Sequence, residues 1–198
     1  FCGGIAASLA GQLSVQSSLL ELTSGAGAAA TGAGTDLHLV NVEIRQTVPA
    51  KGASDGPGLF AVDGATLTVE ECLVRGNVGI GVLLRDSGTK AEFLRTVVAD
   101  TLLGAPESWC SGVAVWSGAS ASMEESVLSG NHESGLWVDG AGSAATLERV
   151  AVVGTLPNPA AGWGDGIWAT SGATFTAAGC IFHGNSSSAL FLEGASAE

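Results

Sequence analysis

The stretch Ala65–Asn77, ATLTVEECLVRGN, decides the architecture. Leu67 and Val69 alternate with polar neighbours, which is the period-two pattern of a half-buried strand. Glu70-Glu71 then turns the chain, Cys72 and Val74 face inward again, and Asn77 closes a second turn. GIGVLL from Gly79 supplies a third strand, and the Gly-containing DSG leads on. A helix through stretches such as MEESVL fails, because it would have to recur beside Gly-bounded alternating strands with no room for both.

The same pattern returns as ASASMEESVLSGN from Ala119 and ATFTAAGCIFHGN from Ala173, each start 54 residues after the last. A second series, TDLHLVNVEIRQT from Thr35, TKAEFLRTVVADT from Thr89 and SAATLERVAVVGT from Ser143, keeps the same period and begins 24 residues after the preceding start in the first series or 30 before the next. GQLSVQSSLLELT from Gly11 extends the first series, and FCGGI at the start is in register with WCSGV from Trp109. The chain is therefore one domain over residues 1–198, with about seven coils near 11–34, 35–64, 65–88, 89–118, 119–142, 143–172 and 173–198. One such unit cannot bury its own inward face. Stacked neighbours can, through one continuous core.

Stacking predicts columns. The residue closing the second strand reads Thr23, Thr47, Asn77, Thr101, Asn131, Thr155 and Asn185, all able to hydrogen-bond along a rod. The turn before the second strand reads Glu71, Arg95, Glu125 and Arg149, a ladder of alternating sign. The recurring form apolar-x-apolar-x-x-(Cys/Ser/Thr)-x-apolar-x-Gly-Asn, followed by a Gly-Ile/Leu/Val strand, resembles the right-handed parallel β-helix of the pectate-lyase-like superfamily. That resemblance implies an all-β, right-handed, single-stranded parallel β-helix with three short strands per coil. It also implies an extracellular or cell-surface setting. It leaves activity open, because one fold hosts many functions.

Composition narrows the partners. Of 198 residues, 46% are hydrophobic and 13% charged, which excludes a disordered tail, and no apolar run approaches a membrane-spanning length. Seven basic against nineteen acidic residues give a net charge of −12, which repels nucleic acid and acidic polysaccharides unless a cation intervenes. No targeting signal is visible, and no polar cap precedes Phe1 or follows Glu198, so the expectation is a piece of a longer solenoid, with end-to-end or lateral self-association.

The chemistry-bearing residues do not converge. Cys72 and Cys180 share an inward column four coils apart, and Cys2 and Cys110 share another, so no intrachain disulfide is expected. Glu70, Glu124 and Glu148 share a column interrupted by Leu94, while Asp63, Asp86, Asp139 and Asp165 scatter. His38, His132 and His183 have no partner at a triad spacing, and Tyr is absent. No catalytic residue, metal site or cofactor is assigned; Ca²⁺ enters only if the chain is part of a polysaccharide lyase or glycosidase. Asn185-Ser-Ser matches a glycosylation sequon, but Asn185 belongs to the ladder.

The functional hint is aromatic. The central outward column of the third strand reads Phe60, Leu83, Ala114, Trp137, Trp168 and Phe191, with Trp116 nearby. The extra length of alternate coils falls at 48–57, 102–111 and 156–165, with Trp109 and Trp163 in register. These three loops should stack into a wall beside the aromatic strand, and long loops on a rigid scaffold are where function concentrates. The expected role is a non-catalytic solenoid module that binds a protein or neutral glycan in a shallow groove there.

Overall fold

The computed structural model describes residues 3–104, 109–160 and 162–197, and its regular elements are all strands. Third strands form one eight-stranded parallel sheet in chain order: Gly3–Ser8, Ala26–Thr31, Leu59–Val62, Ile80–Arg85, Ser111–Trp116, Glu133–Asp139, Gly164–Thr170 and Leu190–Glu193. First and second strands make the other walls of the coil. Their registers follow the rhythm read from the sequence: Asp36 lies beside Thr66, Thr66 beside Lys90, and Lys90 beside Ser120. Each wall is parallel because each strand pairs with its own equivalent one coil away. The chain is a parallel β-helix.

One cluster of buried side chains runs through the middle of the rod from Ala28 to Phe175. Leu37, Leu67, Ala91, Ala121, Ala145 and Phe175 stack in one inward column and Leu39, Val69, Phe93, Met123 and Leu147 in the next. Burial at roughly 25 cal/mol per Å² of apolar surface, repeated coil on coil, is what holds the stacked strands together.

Strand count differs from the expectation at one end. Gln12–Glu21 and Asp36–Arg45 each run as a single ten-residue strand where later coils have two short ones. The bend itself is present throughout: Ser17, Asn41, Glu71, Arg95, Glu125, Arg149 and Gly179 all have positive φ. The amide after the bend is tied to the next coil. In the middle coils it donates to a side chain of the next coil, Cys72 N to Thr96 Oγ1 at 3.4 Å and Thr96 N to Ser126 Oγ at 3.1 Å. Those bonds join successive coils at the bend, and one is present where the strand runs on through it, from Val42 in Asp36–Arg45. Cys72 is thus more than a small apolar filler, since its Sγ accepts the Val42 amide at 3.4 Å.

The second turn is locked by the Thr/Asn column. Asn77 Oδ1 accepts Thr47 N at 3.0 Å, Asn131 Oδ1 accepts Thr101 N at 3.3 Å, and Asn185 Oδ1 accepts Thr155 N at 3.1 Å. Their amide groups donate to Ile44 O, Val98 O and Val152 O. Thr23 Oγ1 meets Thr47 Oγ1 at 3.2 Å. Each Asn therefore serves the backbone of the preceding coil. Room for it comes from a glycine opening the third strand: a Cβ on Gly112 would stand 2.6 Å from Asn131 Nδ2 and 2.5 Å from Gly135 O.

The charged turn residues resolve into two pairs, Glu71 with Arg95 at 2.9 Å and Glu125 with Arg149 at 3.3 Å. Arg149 also contacts Glu124 and Glu148. On the same face Arg75 and Arg45 share Glu43, and the Arg75 guanidinium holds that carboxyl below the usual range.

Candidate binding site

Strand alternation sends Leu59, Ala61, Val82, Leu84, Val113 and Val115 into the core, and the residues between them to the outer face. The outer column pairs as Phe60–Leu83–Ala114–Trp137–Trp168–Phe191. It is not an open stripe. Leu83, Ala114 and Trp137 are buried, and Phe60, Trp116, Trp168 and Phe191 are half-buried. Ile80, Leu83 and Ala114 form a second small core with Phe60 and Trp116 against it.

The cover is aromatic too. Trp137 and Trp168 stack face to face, centroids 4.8 Å apart and planes within 7°. Trp116 meets the edge of Trp137 at 4.8 Å, and Trp109 lies tilted over it at 4.9 Å. Trp163 bridges Trp168 and Phe191 at 6.1 Å each. All five tryptophans of the chain thus join one cluster with Phe191, while Phe60 stands apart beside Leu83. Such contacts are worth about 0.5–1.5 kcal/mol per pair beyond burial. The expected stacking platform has been used by the protein on itself: Trp137 has both neighbours and a lid, and only Trp109 and Trp163 remain exposed, at 50% and 43%. The indole N–H groups of Trp116, Trp137 and Trp168 are buried without a partner.

One place on this face stays open. The loop positions in register with Trp109 and Trp163 continue backwards to Asp55. Where the later loops lay an indole over the strand, the first loop presents a short carboxylate. The result is a cavity of about 410 Å³, lined on its floor by Phe60 and Leu83 and on its sides by Asp55, Pro57, Arg85 and Trp116. Arg85 is half exposed, and its nearest acidic partner is its own neighbour Asp86, at 3.4 Å.

Glu133 is the residue the sequence reading missed. It opens the third strand of a short coil, is fully buried, and has φ of 65°. Its Oε2 accepts Cys110 N at 3.0 Å and Asn158 Nδ2 at 2.8 Å, whereas Oε1 has no partner. Desolvation raises its carboxyl above the ordinary range, opposed by the Asn158 and Cys110 contacts. Burial likewise pushes the Cys110 thiol up to about 11. The usable signal was in the repeat: Gly25 and Gly79 occupy the equivalent places at positive φ, and a glutamate there stands out.

The remaining candidates lie elsewhere. His38 Nε2 is 3.4 Å from Glu70 on the first-strand face, His132 Nδ1 is 2.6 Å from Thr101 O, and His183 is exposed. Cys72, Cys110 and Cys180 are free thiols; Cys2 lies outside the described residues. Among the described residues no three His, Cys, Asp or Glu side chains converge on a point that could hold a metal ion.

No family model and no curated protein matches the sequence. The fold is shared with a crystal structure of pectate lyase Pel9A, at a TM-score of 0.52 and 12% identity over 91% of this chain. The match covers 52% of that enzyme, so this chain spans about half its length. A likeness at that identity is one of fold.

Proposed function

We propose that the chain is a binding module, secreted or surface-displayed, whose cavity over Phe60 and Leu83 takes one or two units of a neutral glycan. The observation that carries this is the replacement of an indole lid by Asp55, which leaves a concave aromatic site of about 410 Å³ on an otherwise self-covered face. That volume falls in the range of about 300–1,000 Å³ typical of small-molecule sites. Phe60 and Trp116 offer apolar surfaces to the C–H face of a sugar ring, and Asp55 and Arg85 offer an acceptor and a donor to its hydroxyls. A net charge of −12 favours an uncharged chain over a polyanion.

Titration calorimetry with neutral gluco-, manno- and xylo-oligosaccharides tests this. Binding by one member, weakened at least about tenfold by Trp116→Ala, supports the reading, a loss of about 1.4 kcal/mol. No binding by any, or binding indifferent to Trp116→Ala and Phe60→Ala together, refutes it.

A second reading is favoured by the half-exposed Trp109 and Trp163, which suit a protein partner laid across the loop wall. Trp109→Ala would then abolish that association and leave oligosaccharide binding unchanged. A third, a carbohydrate-active enzyme fragment, rests on the fold alone. The described residues offer no cluster of donors for Ca²⁺, so no step is derived through it. Depolymerisation of a polysaccharide, with or without added Ca²⁺, would replace the binding reading by that one.

A further inference from the structure

The second and third loops of the wall share one buried carboxyl group. Glu133 belongs to a short coil, which has no long loop of its own, and its side chain fills the space between the loops of the two flanking long coils. On one side it receives the amide of Cys110, whose neighbour Trp109 lies over Trp137. On the other it receives the amide group of Asn158. Asn158 organises its own loop: its Oδ1 accepts Ala160 N at 3.0 Å, its O accepts Gly162 N at 2.7 Å, and its N donates to Trp163 O at 2.8 Å. Trp163 in turn covers Trp168. Both exposed tryptophans of the wall are therefore tied, within one or two bonds, to the same carboxyl.

The arrangement is costly in two ways. A left-handed backbone is worth roughly 1–2 kcal/mol against a residue with a side chain, and the equivalents Gly25 and Gly79 avoid that cost. A buried carboxylate with one bare oxygen is far more costly than a neutral acid in the same place. Both of its hydrogen-bond partners are neutral. The titratable groups around it are Cys110 from the second loop, Asp55 of the first loop beyond Cys110, His132 on its own approach, and Asp165 from the end of the third loop. Asp165 is itself buried, with Oδ1 accepting Ser188 N at 2.9 Å.

We infer that Glu133 is a pH-operated pin for this wall. As a neutral carboxylic acid it keeps Trp109 and Trp163 closed over the Trp137–Trp168 stack, and loss of its proton to solvent lets them lift. The direction follows from linkage: a group that is buried when closed and hydrated when open holds its proton more tightly in the closed state, so acid favours closure and base favours opening. Opening would uncover the stacked Trp137–Trp168 pair, which the two indoles of the wall cover when closed. The inference stands apart from the glycan reading, since it concerns a different part of the face and needs no ligand.

Acrylamide quenching of tryptophan fluorescence in the intact chain, from about pH 5 to pH 8.5, reads it directly. With two indoles half exposed when closed and two more uncovered when open, quenching should rise about twofold across a midpoint above the ordinary glutamate value of about 4.3. Glu133→Gln should stay at the low-pH value throughout. A wild-type profile that is flat, or one that Glu133→Gln reproduces, overturns the inference. Should that variant fail to fold, the wild type decides by hydrogen exchange: the Cys110 amide must lose protection relative to the Thr101 amide as pH rises, and parallel behaviour of the two overturns it.

Discussion

Asn131→Ala separates two ways of valuing the Thr/Asn column. The substitution removes a bond from Thr101 N and one to Val98 O, both partners buried, with Asn131 itself inaccessible. Each orphaned group costs about 1–3 kcal/mol when water cannot reach it, so the loss is about 2–6 kcal/mol. Asn77→Ala, with the same pair of bonds to Thr47 N and Ile44 O at the same depth, should match it. Asn185 makes more bonds, adding one from Thr155 Oγ1 at 2.8 Å, yet it is half-buried. Water can replace its side chain, so Asn185→Ala should cost only about 1 kcal/mol. Counting bonds ranks Asn185 first; burial ranks it last. Urea unfolding followed by circular dichroism decides between them, provided the slope with denaturant is unchanged. Because coils of a solenoid couple mainly to their neighbours, exchange protection of Thr101 and Thr155 amides should be measured alongside. A cost for Asn185→Ala equal to or above that for Asn131→Ala would refute the burial argument.

Three further outcomes are expected. Gly112→Ala should lose at least about 1–3 kcal/mol, because its Cβ would meet the Gly135 carbonyl and the Asn131 amide group, neither of which can yield without breaking the column; a neutral result in thermal melts would contradict this. In native protein at pH 8, mass-mapped alkylation should mark Cys180 well before Cys72 or Cys110, since burial raises both inner thiols, that of Cys110 to about 11. Glu133 contributes stability below the ordinary glutamate value that is lost as pH rises through its raised folded value, so melting temperature should fall from mild acid to neutral. Glu133→Gln should flatten that slope, and an unchanged slope would count against the burial of the charge.

Much of the fold was legible because a parallel coil turns sequence period into spatial adjacency. Once Ala65, Ala119 and Ala173 are aligned, every residue acquires two neighbours, and the pairings Thr66–Lys90 and Trp137–Trp168 follow from counting. Hydrogen-bond detail was less legible. That Cys72, Thr96 and Ser126 accept the amides after the bend depends on where a side-chain oxygen or sulfur sits within a few tenths of an ångström. Alternation likewise said that Trp137 faces outward, but outward on a strand means only away from the core. Whether a loop then lies across it depends on loop conformation, which has no period to read.

The same rhythm explains where the open cavity and the buried carboxyl fall. A long loop in every second coil leaves gaps one coil deep between successive loops. Each gap can be closed from above, by an indole reaching over the strand, or filled from below, by a side chain at the position following Asn77-Val78 or Asn131-His132. In the later gap both devices are present, Trp109 and Trp163 above and Glu133 below, and the aromatic face is sealed. At the Phe60 end neither is: the loop carries Asp55, and the position equivalent to Glu133 beside the cavity is Gly25. One end of the face was thus built as a lid and the other as a vessel, by exchanging two side chains within a common backbone. It follows that Asp55→Trp should close the cavity over Phe60 and abolish oligosaccharide binding while leaving the melting temperature equal or higher. Retained binding would show that the ligand sits elsewhere, and a destabilised protein would show that the first loop does not share the geometry of the others.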